Sequence, residues 1–370
     1  MKTTKKAVVS GLAMIGAAAL LAGCGAAPES NGASGGAAAG ASDYLPCMVS
    51  DSGGFDDKSF NQLGKEGLDA AASELGSKKP IEVQSQSETD FASNLQNLVD
   101  QGCNTIITVG FLLAPAALES AKANPELQYV SIDDTVDQDF DGKTDAPNIK
   151  PIIFDTAQAA YLAGYLAAGT SKTGVVGTFG GMNIPTVTIF MDGFAQGVEK
   201  YNADNGANVR VVGWDRTAKD GSFTGGFEAN DTARQTAQAL IDQNVDVLLP
   251  VGGPIYQSAA VAIQDAGREI AMVGVDADVY ETDTDANVQK ILLTSILKGI
   301  DVGTKDAIVA AGQGNFDTAP FIGTLENDGV GLAPYHDWSD RVSSDLTAKV
   351  DALKADIISG KIKVESYLAG

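Results

Sequence analysis

Residues 45–75 read LPCMVSDSGGFDDKSFNQLGKEGLDAAASEL and join three patterns in one run. Residues 45–50 form a short apolar segment of strand length, which ends in a cluster of polar residues and glycines. Residues 57–75 follow with apolar side chains at three- and four-residue spacing, which is typical of an amphipathic helix. The run therefore predicts a strand, a turn and a helix, the repeating unit of a parallel α/β sheet.

The same alternation continues along the chain and predicts an α/β fold. Further strands are predicted at residues 80–84, 105–109, 128–132, 174–179, 209–213, 245–250 and 270–275. Helices are predicted at residues 90–101, 115–123, 186–201, 233–243 and 255–266. Strands rich in valine and isoleucine that alternate with helices form a parallel sheet covered on both faces.

The alternating strands and helices form two successive sets, with the boundary near residues 150–155. The roughly 330 residues from residue 43 onward are usually too many for one hydrophobic core. We therefore expect two doubly wound parallel-sheet lobes joined by a hinge. Later elements are predicted at residues 290–297, 301–311, 319–325 and 343–359, and they are expected to complete both lobes. The expected N-terminal lobe is residues 43–152 with about 277–315, and the expected C-terminal lobe is residues 153–276 with about 316–370.

The predicted strands end in polar and glycine clusters. Examples are residues 50–54, Asp133 with Asp134, Gly252 with Gly253, and Asp276. Ligands of open parallel sheets bind at the carboxyl ends of the strands. One binding site is therefore expected in the cleft between the two lobes.

Residues 1–23 have the build of a secretory signal. Three lysines precede an uncharged apolar run at residues 7–22, which is shorter than the roughly 20 residues that span a bilayer. The run ends in LAGC, which resembles the bacterial lipobox, where Cys24 would receive a lipid. An ordinary signal or an uncleaved anchor is the alternative. Residues 24–42 are almost wholly Gly, Ala, Ser, Asn and Pro, so we expect a flexible tether.

The charge of the chain restricts its partners. The formal net charge is −23, and removal of the lysine-bearing signal would make it more negative. Such acidity argues against nucleic acid and against anionic lipid surfaces as partners. The compartment follows from the N-terminus instead: the secretory signal, together with the lack of a later long uncharged apolar stretch, predicts a globular part outside the membrane, on the extracytoplasmic face of a bacterial cell.

Two cysteines besides Cys24 remain, Cys47 and Cys103. Cys47 opens the first predicted strand, and Cys103 precedes the third. A disulfide is possible if the two strand starts are neighbours. Two separate buried thiols fit the sequence equally well.

Residues 50–62, SDSGGFDDKSFNQ, resemble the opening signature of the basic membrane protein family. These proteins are lipoprotein receptors of ATP-binding-cassette transporters for purine nucleosides. AAYLAGYLAA at 159–168, MDGFAQG at 191–197, VGVD at 273–276 and TSILK at 294–298 agree with the same family. The resemblance implies a type I periplasmic-binding fold, a nucleoside ligand, a transporter permease as partner and no cofactor. A monomer suits such a carrier.

The resemblance also implies site residues. Two phenylalanines of the family sandwich the base, and they match Phe60 and, by motif order, Phe223, with Trp214 as a competing aromatic. The matching polar and glycine positions are Asp51, Asn61 and Asp133 near the base, Asp276 and Lys298 at the ribose hydroxyls, and Gly252 and Gly253 at the ligand edge.

These residue types suit a nucleoside. Aromatic rings hold the faces of a base, and stacking contributes about 1–3 kcal/mol per base. A carboxylate accepts hydrogen bonds from vicinal hydroxyls while a lysine donates to them. Structural roles are the alternatives: Phe60 as a core residue, Asp51 as a helix cap, and Asp276 with Lys298 as a buried ion pair.

Asp137, Asp139 and Asp141 copy the first half of a calcium loop. Asn148 stands where a bidentate glutamate would close that loop, so the motif is incomplete. A solvated acidic loop is our interpretation, and bound calcium is the alternative.

An enzyme is not expected. The single histidine, His336, has no cysteine partner or metal-spaced ligands nearby, and the chain lacks the nucleophile-elbow, zinc-protease and P-loop motifs. Two further alternatives are a receptor for a sugar or other small polar solute, and a surface sensor or adhesin that kept the fold.

Overall fold

The computed structural model describes residues 41–139 and 141–368. The expected signal peptide, Cys24 and nearly all of the expected tether lie outside these residues. Within the described ranges, no helix has both the length and the apolar character needed to cross a bilayer.

The strands alternate with helices along the chain, as the sequence predicts. In chain order the strands are β1 (Pro46–Ser50), β2 (Ile81–Gln84), β3 (Thr105–Val109), β4 (Gln128–Ile132), β5 (Ile149–Phe154), β6 (Val175–Gly180), β7 (Arg210–Val212), β8 (Trp214–Asp215), β9 (Asp220–Gly221), β10 (Val247–Val251), β11 (Ala271–Asp276), β12 (Leu292–Lys298), β13 (Phe321–Gly323) and β14 (Val330–Leu332).

The α-helices cover the faces of the sheets formed by these strands. In chain order they are α1 (Phe60–Leu75), α2 (Phe91–Asp100), α3 (Ala114–Ala123), α4 (Thr156–Thr170), α5 (Pro185–Asn205), α6 (Asp231–Ile241), α7 (Ile255–Asp265), α8 (Val279–Thr282), α9 (Ala286–Gln289), α10 (Ile300–Gly312) and α11 (Ser344–Ile358).

Two six-stranded sheets organise the molecule. The first has the order β13-β5-β4-β3-β1-β2 and is parallel throughout. The second has the order β14-β12-β11-β10-β6-β7, and only its edge strand β14 runs antiparallel to its neighbour. The central strands are buried, as expected when helices cover both faces. This architecture confirms the predicted α/β fold with two doubly wound lobes.

The chain passes between the lobes three times: from β5 to α4, from β12 to α10 and from β13 to β14. These crossings lie side by side. The backbone N–H of Asp155 donates to the carbonyl of Gly323 at 2.8 Å, and that of Gly299 donates to Gly329 at 2.9 Å. The crossings therefore form one hydrogen-bonded connection between the lobes.

The tail of the chain departs from the expected lobe boundaries. Residues 277–298 belong to the second lobe rather than the first, because β12 pairs with β11 in the second sheet. Strand β13 belongs to the first lobe rather than the second, because it pairs with β5. Helix α10 packs on α1 in the first lobe, and α11 packs on α4 in the second, as expected.

Cys47 and Cys103 form a disulfide, with their Cα atoms 5.9 Å apart. The bond is possible because β1 and β3 are adjacent in the first sheet. This finding resolves the alternative of two separate thiols in favour of the disulfide.

Candidate ligand-binding site

A cleft lies between the carboxyl ends of the strands of both sheets. Its first-lobe wall includes Asp51, Ser52, Asp57, Phe60, Asn61, Gly110, Phe111 and Asp133. Its second-lobe wall includes Ile184, Thr186, Val187, Phe190, Phe227, Val251, Gly252, Gly253, Pro254, Asp276 and Lys298. The structure thus brings together all the predicted ligand-contact residues except Phe223.

Asp57 caps the helix that carries Phe60. Its Oδ1 accepts from the backbone N–H of Ser59 at 3.0 Å and of Gln62 at 3.1 Å, and its Oδ2 accepts from the N–H of Asn61 at 2.9 Å. Burial nevertheless raises the pKa of Asp57. The capping role proposed as an alternative for Asp51 therefore belongs to Asp57. Sequence reasoning missed this residue because it placed Asp57 inside the predicted helix, whereas α1 begins at Phe60 and an aspartate just before a helix is a capping signal.

Asp51 and Asn61 form a buried polar pair. The amide Nδ2 of Asn61 donates to Asp51 Oδ1 at 3.3 Å. Burial raises the pKa of Asp51 well above its ordinary value, against the lowering effect of the Asn61 amide. The other amide atom, Asn61 Oδ1, is buried and has no hydrogen-bond partner within the described part of the chain. A buried polar atom left unpaired is costly, so Asn61 Oδ1 is suited to accept from a ligand.

Lys298 lies between two carboxylates from opposite lobes. Its Nζ is 2.5 Å from Asp133 Oδ2 in the first lobe and 3.6 Å from Asp276 Oδ1 in the second. All three side chains are buried. The backbones of Asp133 (φ 69°) and Asp276 (φ 66°) lie in the left-handed region, which aspartate tolerates better than most residues. Such strained backbone concentrates at functional sites.

One oxygen of the Asp276 carboxylate makes no hydrogen bond within the described part of the chain. Burial raises the pKa of Asp276 to about 6, while Lys298 acts to lower it. Its Oδ2 accepts from the hydroxyl of Ser59 at 3.2 Å. Its Oδ1 is buried and, among the described residues, has no hydrogen-bond partner. A ligand hydroxyl in the cleft would supply the missing donor.

Aromatic rings from both lobes face the cleft. Phe60 belongs to the first lobe, while Phe190 and Phe227 belong to the second. The Nζ of Lys298 lies 5.1 Å from the ring centre of Phe60 and 5.2 Å from that of Phe190, within cation–π range. The cleft therefore combines flat apolar surfaces with buried charge.

Phe223 is not one of the residues that line the cleft. Its ring packs edge-on against Trp214, with the centroids 6.5 Å apart, and its backbone bridges to Gly180. Phe227 reaches the cleft instead, four residues later in the same loop. A side chain at Gly252 would collide with the Phe227 ring, so this glycine makes room for the aromatic wall.

Gly253 lies where the two lobes meet. A Cβ built on it would stand 3.5 Å from Asp57 Oδ2 in the first lobe. The turn before α7 therefore approaches the capped end of α1 closely.

The charge of the cleft favours a ligand rich in hydrogen-bond donors. Asp51, Asp57, Asp133 and Asp276 are buried there, and Lys298 is the one lysine or arginine among the described lining residues. Asp57 already occupies the N-terminus of α1, a position that otherwise attracts phosphate. The arrangement suits a neutral ligand with hydroxyl or N–H groups and disfavours an anion.

The acidic loop contains a different trio from the one expected. Carboxylate oxygens of Asp137, Asp139 and Asp145 lie within 4.8 Å of one another. Asp141 pairs with Lys143 at 3.1 Å instead. The amide of Asn148 points inward and donates to three backbone carbonyls, which holds the end of the loop. Exposed acidic groups of this kind are common without an ion, so we assign no metal here.

Two parallel α/β lobes with a polar and aromatic cleft between them define a solute-binding protein of the periplasmic-binding type. The chain belongs to the Bmp family, described as ABC transporter substrate-binding protein PnrA-like, which it matches over residues 45–367. The members are substrate-binding proteins rather than enzymes, and they act outside the cytoplasm. Membership implies a ligand and a transporter permease as partners.

Two curated relatives extend over nearly the whole chain. The CD4+ T-cell-stimulating antigen of Listeria monocytogenes is 31% identical over 87% of this chain and 88% of its own length. The ABC transporter nucleoside-binding protein BmpA of Lactococcus lactis is 29% identical over 98% of this chain and 99% of its own length.

A solved structure supports the same fold. An ABC transporter solute-binding protein from Aeropyrum pernix superposes with a TM-score of 0.76 at 26% identity, covering 88% of this chain and 94% of that one.

Proposed function

We propose that this chain is a lipid-anchored receptor that encloses a nucleoside, a purine nucleoside first of all, and delivers it to an ABC transporter. The observation that carries the proposal concerns Phe60 and Phe227. These rings come from opposite lobes and line one cleft. Two such rings suit the two faces of a base, where stacking contributes about 1–3 kcal/mol.

The polar groups of the cleft divide into two sets that suit the two parts of a nucleoside. Asp51 and Asn61 offer acceptor atoms near Phe60, which suits the donor edge of a base. Asp276 and Lys298 stand at the strand ends of the second lobe, and the open Oδ1 of Asp276 suits a ribose hydroxyl. The Lactococcus relative named as nucleoside-binding supports the same ligand class.

The anchor is proposed from the sequence of residues 1–24. The basic start, the apolar run and the LAGC ending together favour lipidation of Cys24. Two acyl chains give lasting attachment, since each buried CH₂ contributes about 0.8 kcal/mol. Cys24→Ser should release the full chain from the membrane fraction and abolish labelling by a fatty-acid analogue. Unchanged membrane retention and labelling would remove Cys24 from this role.

The ligand class is tested by native mass spectrometry of residues 41–370, which comprise the described folded part. The protein is mixed with equal amounts of nucleosides, free bases, ribose, galactose and inositol. We expect a mass increase equal to one nucleoside. An increase equal to one sugar or polyol would leave the receptor class in place and overturn the nucleoside assignment.

A further inference from the structure

Lys58, in the turn before α1, reaches across the cleft to the second lobe. Its Nζ lies 3.1 Å from Asp283 Oδ1. Its backbone carbonyl accepts from the hydroxyl of Thr282 at 2.7 Å. The backbone of Lys58 has φ 57°, an uncommon value for a residue with a long side chain. This strained backbone conformation allows the turn to contact the other lobe.

The partner of Lys58 is held rigidly. The Asp283 side chain is buried, and its Oδ2 accepts from the hydroxyl of Tyr256 at 2.7 Å. Its Oδ1 also accepts from the backbone N–H of Asp285 at 3.0 Å. Lys58 therefore docks on a carboxylate that is already fixed within the second lobe.

Ser59, the next residue, contacts the second lobe at the site itself. Its hydroxyl lies 2.9 Å from the carbonyl of Val275 and 3.2 Å from Asp276 Oδ2. One hydroxyl hydrogen is shared between these two acceptors. The contact engages Oδ2 of Asp276 and leaves Oδ1, the oxygen that we propose for the ligand, open.

None of the residues in these contacts belongs to the three crossing segments that connect the lobes. If the lobes separate by bending at the crossings, the contacts of Lys58 and Ser59 must break. Closure would then do two things at once: it would dock Lys58 on Asp283, and it would fix the rotamer of Asp276.

We propose that Lys58 and Ser59 are positioning residues for the ligand. They join the first lobe to the second and orient Asp276 only when the cleft is closed. The proposal rests on the proposed function, because it describes how that site retains its ligand. Loss of contacts that exist only in the closed form accelerates dissociation and leaves association nearly unchanged.

The test measures guanosine binding and dissociation by stopped-flow fluorescence in Ser59→Ala, Lys58→Met and wild-type residues 41–370. One buried hydrogen bond contributes enough to change an affinity about fivefold, and a half-exposed ion pair about threefold. We expect the dissociation rate to rise by these factors while the association rate stays within about twofold. Thr282→Val should act in the same direction from the other lobe, which separates a lost contact from local misfolding at Ser59.

Lys65→Met is the matched control. Lys65 lies on α1, the helix that follows Lys58 and Ser59, and pairs with Asp69 at 2.7 Å and with Glu82 at 2.9 Å, both within the first lobe. Lys65→Met should keep the wild-type dissociation rate. Lys58→Arg keeps the positive charge, so its dissociation rate should be closer to that of wild type than to that of Lys58→Met. Wild-type dissociation rates in folded Ser59→Ala and Lys58→Met would overturn the inference.

A ligand-independent measurement separates this inference from the proposed function. If wild-type protein bound no nucleoside, the proposed function would fail. The contacts would then be tested by small-angle scattering, where both variants should show a larger radius of gyration than wild type and Lys65→Met should not. Equal radii in that case would overturn the inference as well.

Discussion

Lys298 at the end of β12 donates to Asp133 at the end of β4, with Nζ 2.5 Å from Oδ2, so one buried ion pair joins the two lobes at the floor of the cleft. The loss of hydration opposes a buried ion pair. Here a second carboxylate, that of Asp276, also attracts the ammonium group of Lys298, which helps to keep the lysine charged. Both residues line the cleft, and Lys298 directly precedes the crossing from β12 to α10. The residues that we propose for the ligand are therefore also residues that hold the lobes together.

Lys298→Met should weaken nucleoside binding at least tenfold and lower the melting temperature. The substitution leaves two buried carboxylates without their cation, and breaking a buried pair costs about 3–5 kcal/mol unless the carboxyls take up protons. Calorimetric titration and thermal unfolding measure the two effects. Lys290→Met, at an exposed lysine of the same lobe, should change neither. Wild-type affinity in Lys298→Met would place the ligand elsewhere.

Phe227→Ala should mainly weaken ligand binding, whereas Phe223→Ala should mainly lower the melting temperature. Phe227 lines the cleft, so its loss should weaken guanosine binding at least tenfold. Phe223 packs on Trp214, so its loss should lower the melting temperature and change the affinity less than about threefold. Titration and thermal unfolding of both variants provide the comparison. A larger loss of affinity in Phe223→Ala would restore the original sequence-based assignment.

Stability should rise on mild acidification. Burial raises the pKa of Asp276 from 3.8 to about 6, so the folded state holds a proton that the unfolded state releases between these values. A raised carboxyl pKa stabilises the folded state below the unfolded value, and this stabilisation is lost as pH rises through the folded value. The melting temperature should therefore increase from about pH 7 to about pH 5.

Asp276→Asn isolates this contribution from the general loss of negative charge on acidification. The variant should show a smaller increase than wild type, whereas Asp56→Asn, at an exposed neighbour of the site, should match wild type. Identical pH profiles for Asp276→Asn and wild type would contradict the account.

Phosphorylated nucleosides should bind poorly. The carboxylate of Asp57 fills the N-terminus of α1, and Lys298 is already paired, so the described residues that line the cleft offer no free cation to a phosphate. Guanosine 5′-monophosphate should bind at least tenfold more weakly than guanosine in calorimetric titration. Asp57→Asn retains a capping side chain and should narrow the difference. Equal affinity of wild type for both compounds would refute the electrostatic argument.

Removal of the disulfide should destabilise the first lobe. The bond closes a loop with a sequence separation of 56 residues, for which chain entropy gives roughly 4 kcal/mol. The double variant Cys47→Ser, Cys103→Ser should melt at a lower temperature in oxidising buffer. Added reductant should have no effect on it and should lower the melting temperature of wild type. An unchanged melting temperature in the double variant would mean that the bond contributes little.

The alternation of strands and helices was predictable because apolar periodicity is local in sequence. The lobe membership of β12 and β13 was not, since the strand that each one pairs with lies far away along the chain. A short apolar segment looks the same whichever sheet it joins. Local patterns therefore predict that β12 and β13 exist, but not which of the two sheets each one joins.

The site shows the same division. The polar site residues lie at the ends of strands or in the first turn of a helix, which local patterns locate; they are Asp51, Asn61, Asp133, Asp276 and Lys298. Phe223 and Phe227 share a loop without periodicity, so motif order selected a ring that is not among the residues lining the cleft. The contacts of Lys58 and Ser59 with the second lobe depend on how two separately folded sheets meet, which no local pattern records.

The central claim is tested most directly by calorimetric titration of residues 41–370 with guanosine, adenosine, inosine, cytidine, ribose and galactose. The account predicts micromolar or tighter binding of at least one purine nucleoside, one molecule per chain, with no heat from ribose or galactose. Binding of a free sugar alone, or no binding of any of these compounds by folded protein, would contradict it.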